Sequence, residues 1–523
     1  MRTGALIAAL IATAAAAEPA ADRSWPTYHG DMTGRHHSDL TQIDGGNVAA
    51  LTLAWVYKAQ VPAEGFGMKP AIKATPVEQD GVLYFSMPDR VWAVDARTGR
   101  EIWTYVTKSG TSIGNRGVAV HNGTVYLETP DSHLVALDAA TGHEKWRVEI
   151  ADSRLGYVST MAPTLMKNHL MVAAGGDSLD LPGYLQARDP ETGALQWQWR
   201  VTPKPGEKGS ETWPDAQSME HGGGMPWLPG TYDPELNLIY WGTGNPNPVH
   251  AGQGRKGDDL FTCSIVALDA DTGKLVWYYQ VSPHDTHDWD AVQTPVLVDG
   301  NFQGKTRKLL MQASRNGYFF VLDRKTGEHL LTEPYANVNW AKGLDAQGRP
   351  IPDPDKEPKT NGTLVNPTSG GAVNWPAQAF DPATGLLYVP SAEAYSIYYL
   401  TDTSPKPAGF GGRDDMLAFQ VAIKAIDYTT GKIRWQHPLS KGVGISPGFG
   451  YPGLLSTAGK LVFGGDSDQD LIALDADDGH SVWHVNLGEA VTNAPITYSI
   501  GGRQYVVVAA GLDLYGFTLP EKR

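Results

Sequence analysis

Asp95–Trp103, DARTGREIW, recurs along the chain. Near copies stand at Asp138–Trp146 (DAATGHEKW), Asp189–Trp197 (DPETGALQW), Asp269–Trp277 (DADTGKLVW), Asp427–Trp435 (DYTTGKIRW) and Asp475–Trp483 (DADDGHSVW). A seventh, Asp323–Leu331 (DRKTGEHLL), has Leu in place of Trp. Each copy reads as a β-hairpin. An alternating apolar run such as Leu134–Leu137 forms the first strand. Asp-x-x-Thr-Gly forms the turn: the Asp carboxylate bonds nearby backbone and the Gly takes positive φ. The second strand ends in Trp.

The Asp residues are mostly about 40–55 positions apart, the size of one four-stranded propeller blade. The repeat predicts an all-β fold: an eight-bladed β-propeller of four-stranded antiparallel blades, with each Trp packed between neighbouring blades. Two shorter echoes, Tyr232–Tyr240 (YDPELNLIY) and Phe380–Tyr388 (FDPATGLLY), fall in the widest gaps. Those gaps are expected to hold further, degenerate units. Leu51–Tyr57 and Gln504–Ala510 read as strands, and one blade built from both termini would remove the open sheet edge. The long loops Thr202–Pro226, Asn245–Asp259, Asp345–Gly371 and Thr401–Asp415 are expected to roof a central site.

Bulk properties narrow the function. Of the 523 residues, 42 are Lys or Arg and 57 are Asp or Glu, a net charge of −15 with no basic patch, which disfavours nucleic acid as a partner. Arg2 followed by the apolar, small-residue run Gly4–Ala17 reads as a secretory signal peptide over residues 1–17, leaving 18–523 as one catalytic propeller domain. No later stretch reaches membrane-spanning length, so the expected location is the periplasm. Cys263 is the single cysteine. An intramolecular disulfide is therefore impossible, and so is a Cys-x-x-Cys-His haem attachment. Electrons, if any are moved, must leave to a separate carrier.

The densest titratable chemistry lies in Val281–Pro295, VSPHDTHDWDAVQTP, with Asp285, Asp288, Asp290, His284 and His287. With NRG at Asn115–Gly117, GTGNPNP at Gly242–Pro248, SRNGYFFVLDRKTG at Ser314–Gly327 and GAVNWPAQAFDPATGLLYVP at Gly371–Pro390, this stretch resembles the quinoprotein alcohol dehydrogenases, of the soluble type without a haem domain. The resemblance runs from about Trp25 to the end. It implies an eight-bladed propeller that uses pyrroloquinoline quinone (PQQ) with Ca²⁺ or a lanthanide ion. The implied reaction oxidises an alcohol to an aldehyde or ketone and passes electrons to a soluble cytochrome c or similar acceptor.

The same resemblance implies roles. Asp288 matches the catalytic base, which takes the hydroxyl proton of the substrate. Asn245 matches a metal-binding asparagine, and Asp290 an acid of the lanthanide-using branch; hard cations favour such oxygen donors. Trp227 matches the residue that stacks the quinone, Arg116 and Arg315 its cationic contacts, Thr160 a hydroxyl contact, and Asn374 and Trp375 a pair near the ring. His284, Asp285 and His287 read as loop scaffolding.

Three departures from the family pattern stand out. Gly110 and Thr111 stand where adjacent cysteines are usual. Ser178 stands where a metal-binding glutamate is usual, with Asp177 and Asp180 flanking it and Asp177 the candidate substitute. Lys73 replaces an acid that contacts PQQ, and a lysine there could pair with a cofactor carboxylate. The alternative from another class is a propeller without cofactor, acting as an envelope binding or assembly scaffold.

Overall fold

The computed structural model describes residues 22–61, 70–107, 109, 114–176, 179–443 and 453–521. The signal-peptide reading, Gly110, Thr111, Asp177 and Ser178 lie outside them.

Each repeat turn is built as its residues dictate. Asp95 Oδ1 accepts the backbone N–H of Arg97 and Thr98 and the Thr98 hydroxyl, at 2.8–3.0 Å. The Gly99 N–H closes the turn on the Asp95 carbonyl at 2.8 Å, and Gly99 sits at φ 67°. The same carboxylate-to-Thr pattern recurs at Asp138, Asp189 and Asp269.

Among the described residues the strands form eight sheets of four or five strands and one two-stranded hairpin. Seven of these sheets carry one repeat turn between their last two strands, as in Arg90–Asp95 and Glu101–Val106. The eighth joins the two ends of the chain: Thr52–Lys58 pairs antiparallel with Asp513–Thr518, next to Arg503–Ala510 and Ile496–Ile500. The sheet shared by the termini is therefore present as expected, with Thr52–Lys58 as its edge strand. The fold is a β-propeller. One expectation is corrected: the echoes are not degenerate extra sheets. YDPELNLIY is the first hairpin, Thr231–Asp233 with Leu238–Gly242, of the sheet that carries the Asp269 turn. FDPATGLLY is likewise the hairpin of Ala379–Asp381 with the start of Leu386–Leu400. The wide gaps hold long irregular segments instead.

The Trp of one unit caps the turn of the next. The Trp103 ring lies against Gly142, where a Cβ would come within 2.6 Å of it, and its indole N–H donates to the Ala139 carbonyl at 2.9 Å. Trp197 repeats this on Gly273 and Ala270, Trp277 on Gly327 and Arg324, and Trp435 on Gly479 and Ala476. Glycine is required at these points both for positive φ and for the ring. At the Leu331 unit, Leu331 and Glu333 cover Gly431, and the indole hydrogen bond is lost.

First strands such as Val77–Gln79 and Thr231–Asp233 are buried, whereas last strands such as Glu101–Val106 are half exposed. The buried first strands face the centre of the ring. The segments that lead into them therefore arrive at the centre as well.

Candidate active site

The expected residues arrive by two routes. Lys73, Arg116, Thr160, Trp227, Asp288, Asp290, Asn374 and Trp375 each lie shortly before a first strand. Asn245 and Arg315 lie between the second and third strands of their sheets. The two routes meet around Asp290.

Asp290 Oδ1 accepts the backbone N–H of Asn245 at 2.7 Å, and Oδ2 accepts the indole N–H of Trp227 at 3.1 Å and the Arg315 guanidinium. Arg315 also reaches the Asp288 carboxylate at 3.5 Å and the Ser369 carbonyl at 2.7 Å. Its side chain is 6% exposed and that of Asp290 is 7%, so the pair is shielded from solvent and the charge-assisted bond is strong. Burial alone would pull the Arg315 guanidinium down, but Asp290, Asp288 and Asp285 outweigh it and raise it further. Asp288 is the more open acid, at 22%. It holds φ 71°, a region Asp tolerates better than most residues and one that often marks functional sites.

Asp285 shapes the loop. Its carboxylate accepts the N–H groups of His287, Asp288 and Trp289. Burial pushes it up to about 6 in spite of those donors and Arg255. His287 stacks on Trp289 with ring centroids 4.4 Å apart, and burial pulls it down to about 3, so it is neutral at pH 7. These contacts hold the loop together.

On the other side, the Arg116 guanidinium lies 4.7 Å above the Trp227 ring and 5.8 Å from that of Trp375. Cations stack readily on indole faces. The Thr160 carbonyl accepts the Arg116 backbone N–H at 3.2 Å. The Lys73 side chain runs beside Arg116, both within 3.4 Å of a Cβ built on Gly114. Burial, and then Arg116, lowers the Lys73 ammonium. The Asn374 side chain is fixed between the Gly370 carbonyl and the Trp375 N–H.

Three further contributors have residue types that announce no role, although Gly244 and Gln293 lie inside the quoted GTGNPNP and VSPHDTHDWDAVQTP stretches. Gln293 Oε1 accepts the Arg315 backbone N–H. Gly244 leaves room that a Cβ would fill 2.9 Å from Asp290 Oδ1. Arg255, fully buried, pairs with Asp259 at 2.6 Å and also donates to the Asp285 carbonyl. Each depends on contacts distant in sequence.

The donor set fits an anionic, flat cofactor and a hard cation. Arg116, Lys73 and Arg315 supply positive charge beside two indole rings, and Arg315 Nε is buried with no hydrogen-bond partner among the described residues. Asp288 and Asp290 supply hard oxygens at Arg315, and Asn245 adjoins Asp290 through its backbone N–H.

The family model for the PQQ glucose/ethanol/alcohol dehydrogenase β-propeller domain matches residues 25–339 and 421–506. The chain belongs to this PQQ-dependent dehydrogenase family. It is 37% identical to quinohemoprotein alcohol dehydrogenase ADH IIB of Pseudomonas putida, across 97% of this chain and 76% of that protein. Among solved structures, quinohemoprotein alcohol dehydrogenase ADHIIG from Pseudomonas putida HK5 superposes with a TM-score of 0.86 at 33% identity, covering 96% of this chain and 82% of that one. A europium-containing methanol dehydrogenase superposes at 0.83 with 28% identity, covering 95% and 98%. Kinship this close to PQQ-dependent dehydrogenases does not favour the cofactor-free scaffold. The chain is an oxidoreductase of the alcohol dehydrogenase type.

Proposed function

We propose that the protein oxidises a small-molecule alcohol to an aldehyde or ketone in the periplasm, using PQQ and Ca²⁺ or a lanthanide ion, and passes the electrons to a soluble cytochrome c or similar acceptor. The observation that carries the reading is the junction at Arg315, where Asp288 and Asp290 face one guanidinium and Asp290 is tied to Trp227 and Asn245. When bound, PQQ supplies a two-electron acceptor and the cation supplies a Lewis acid.

The chain's own groups do the rest. Asp288, the more open carboxylate, takes the hydroxyl proton of the alcohol at its Oδ. Arg315 positions that carboxylate and presents positive charge where negative charge would develop. Trp227 provides a flat face, with Trp375 and Asn374 beside it. Arg116 and Lys73 would pair with the cofactor carboxylates, and the Thr160 hydroxyl would add a further contact. Asn245, Asp288 and Asp290 hold the cation, with Asp177 as a fourth candidate ligand. The europium in the related methanol dehydrogenase supports a lanthanide as one option. Export rests on the N-terminal run Gly4–Ala17, and a cytochrome c acceptor is supported by the related 1-butanol dehydrogenase (cytochrome c) of Thauera butanivorans.

The test is reconstitution. The apo protein, given PQQ with Ca²⁺ or a light lanthanide, should oxidise members of an alcohol panel in a dye-linked assay. Absence of PQQ binding with either metal would overturn the reading.

A further inference from the structure

Behind the site, three buried side chains leave polar atoms unpaired around one void of about 10 Å³. They are His29 Nε2, Gln293 Nε2 and Gln378 Oε1; the three residues are 5%, 2% and 6% exposed. Asn374 and Trp375 line the same void.

The donor and acceptor roles follow from the neighbours. His36 Nε2 meets the Pro495 carbonyl at 3.0 Å, an acceptor only, so His36 carries its proton on Nε2. Burial pulls both His36 and His29 down, His36 to about 4, so both rings are neutral at pH 7. His36 Nδ1 is then an acceptor. His29 Nδ1, 3.1 Å away, must donate to it. That leaves His29 Nε2 as an acceptor. Gln293 Oε1 is held by the Arg315 N–H, so its Nε2 is the donor left over. Gln378 Nε2 donates to the Ala313 carbonyl at 2.8 Å, so its Oε1 is the acceptor left over.

The void thus presents two acceptors and one donor. A cation would meet the donor of Gln293, and an anion would meet the acceptors of His29 and Gln378. A single water satisfies all three, and the volume is close to the minimum a water needs. We propose that one permanent water donates to His29 Nε2 and Gln378 Oε1 and accepts from Gln293 Nε2. Through Gln293 it positions the Arg315 backbone. The site needs no bound cofactor.

A high-resolution crystal structure should show one density peak within hydrogen-bond distance of all three atoms, and a void without that peak would overturn the proposal. ¹⁵N spectra of histidine should place the protons on His29 Nδ1 and His36 Nε2; a proton on His29 Nε2 would sink the donor assignment. Both readouts use the unsubstituted protein. His29→Leu should remove the peak and raise the PQQ concentration for half-reconstitution about fivefold with kcat at saturating PQQ unchanged, while His29→Gln, which keeps an acceptor, should stay near the parent. An unchanged PQQ requirement in His29→Leu would overturn the link to Arg315. This last readout rests on the PQQ reading; the density and the tautomers do not.

Discussion

The indole N–H of Trp227 donates to the carboxylate of Asp290 at 3.1 Å, across 63 positions of sequence. This bond ties the flat face of the site to the loop that carries its acids. Asp290 also accepts from Asn245 and Arg315. Asp290→Ala would leave the buried Arg315 with the longer contact to Asp288 as its only carboxylate partner, beside the Ser369 carbonyl. The expected cost is about 3 kcal/mol of unfolding free energy, because breaking a buried ion pair leaves a charge uncompensated. Urea denaturation of the apo protein measures it, and a midpoint within error of the parent would refute the structural role of Asp290.

Asp288→Asn separates chemistry from architecture. Asparagine tolerates the positive φ that Asp288 holds, so the loop should survive. The amide cannot accept the alcohol proton. In the reconstituted enzyme kcat should fall by roughly 100-fold or more, with PQQ binding retained. A variant at near-parent kcat would remove Asp288 from the role of base.

Gly142→Ala tests the coupling of one sheet to the next. At φ 72° the new Cβ would sit 2.6 Å from the Trp103 ring. Strain and overpacking should destabilise the protein by roughly 1–3 kcal/mol. Gly123→Ala has nothing within 4 Å of its Cβ, although its φ of 68° is similar, and so isolates the backbone component. Equal losses of stability in both variants would argue against Trp capping.

The histidine pair predicts a pH dependence. His36 falls from an ordinary 6.5 to about 4 in the folded protein, chiefly through burial, with the Pro495 carbonyl and Asp31 opposing the shift. Its neutral neighbour His29 is lowered as well. The unfolded chain therefore binds protons first as pH drops. The stability this provides is complete above about 6.5 and is lost progressively from there down to about 4. For His36 alone the loss is about 3 kcal/mol. His36→Gln can keep a donor to Pro495 yet cannot titrate. Its stability should fall less steeply than that of the parent between pH 6.5 and 4, and identical slopes would contradict the neutral assignment.

The ring and its coupling could be read from residues alone, because Asp-x-x-Thr-Gly and the trailing Trp are local and repeated. Asp95 needs only Arg97, Thr98 and Gly99 to build its turn. The sheet shared by Thr52–Lys58 and Asp513–Thr518 was legible because two apolar runs at opposite ends each needed a partner. The echoes misled for a related reason: a turn signature marks a hairpin but does not say which pair of strands it joins.

Candidate site residues such as Asp288, Asn245 and Trp227 were recognisable because the motifs that hold them resemble those of the family. What they do to one another was not. Only folding brings Asp290 against Trp227, Asn245 and Arg315, sets Gln293 behind the Arg315 backbone, and buries His29 and His36 together as neutral rings. Burial and proximity fix charge state and hydrogen-bond direction, and both arise from contacts between segments far apart in the chain. The sequence by itself determined a ring of repeats with acids near its centre; the tertiary structure decided which acid pairs closely with Arg315 and which is the more exposed.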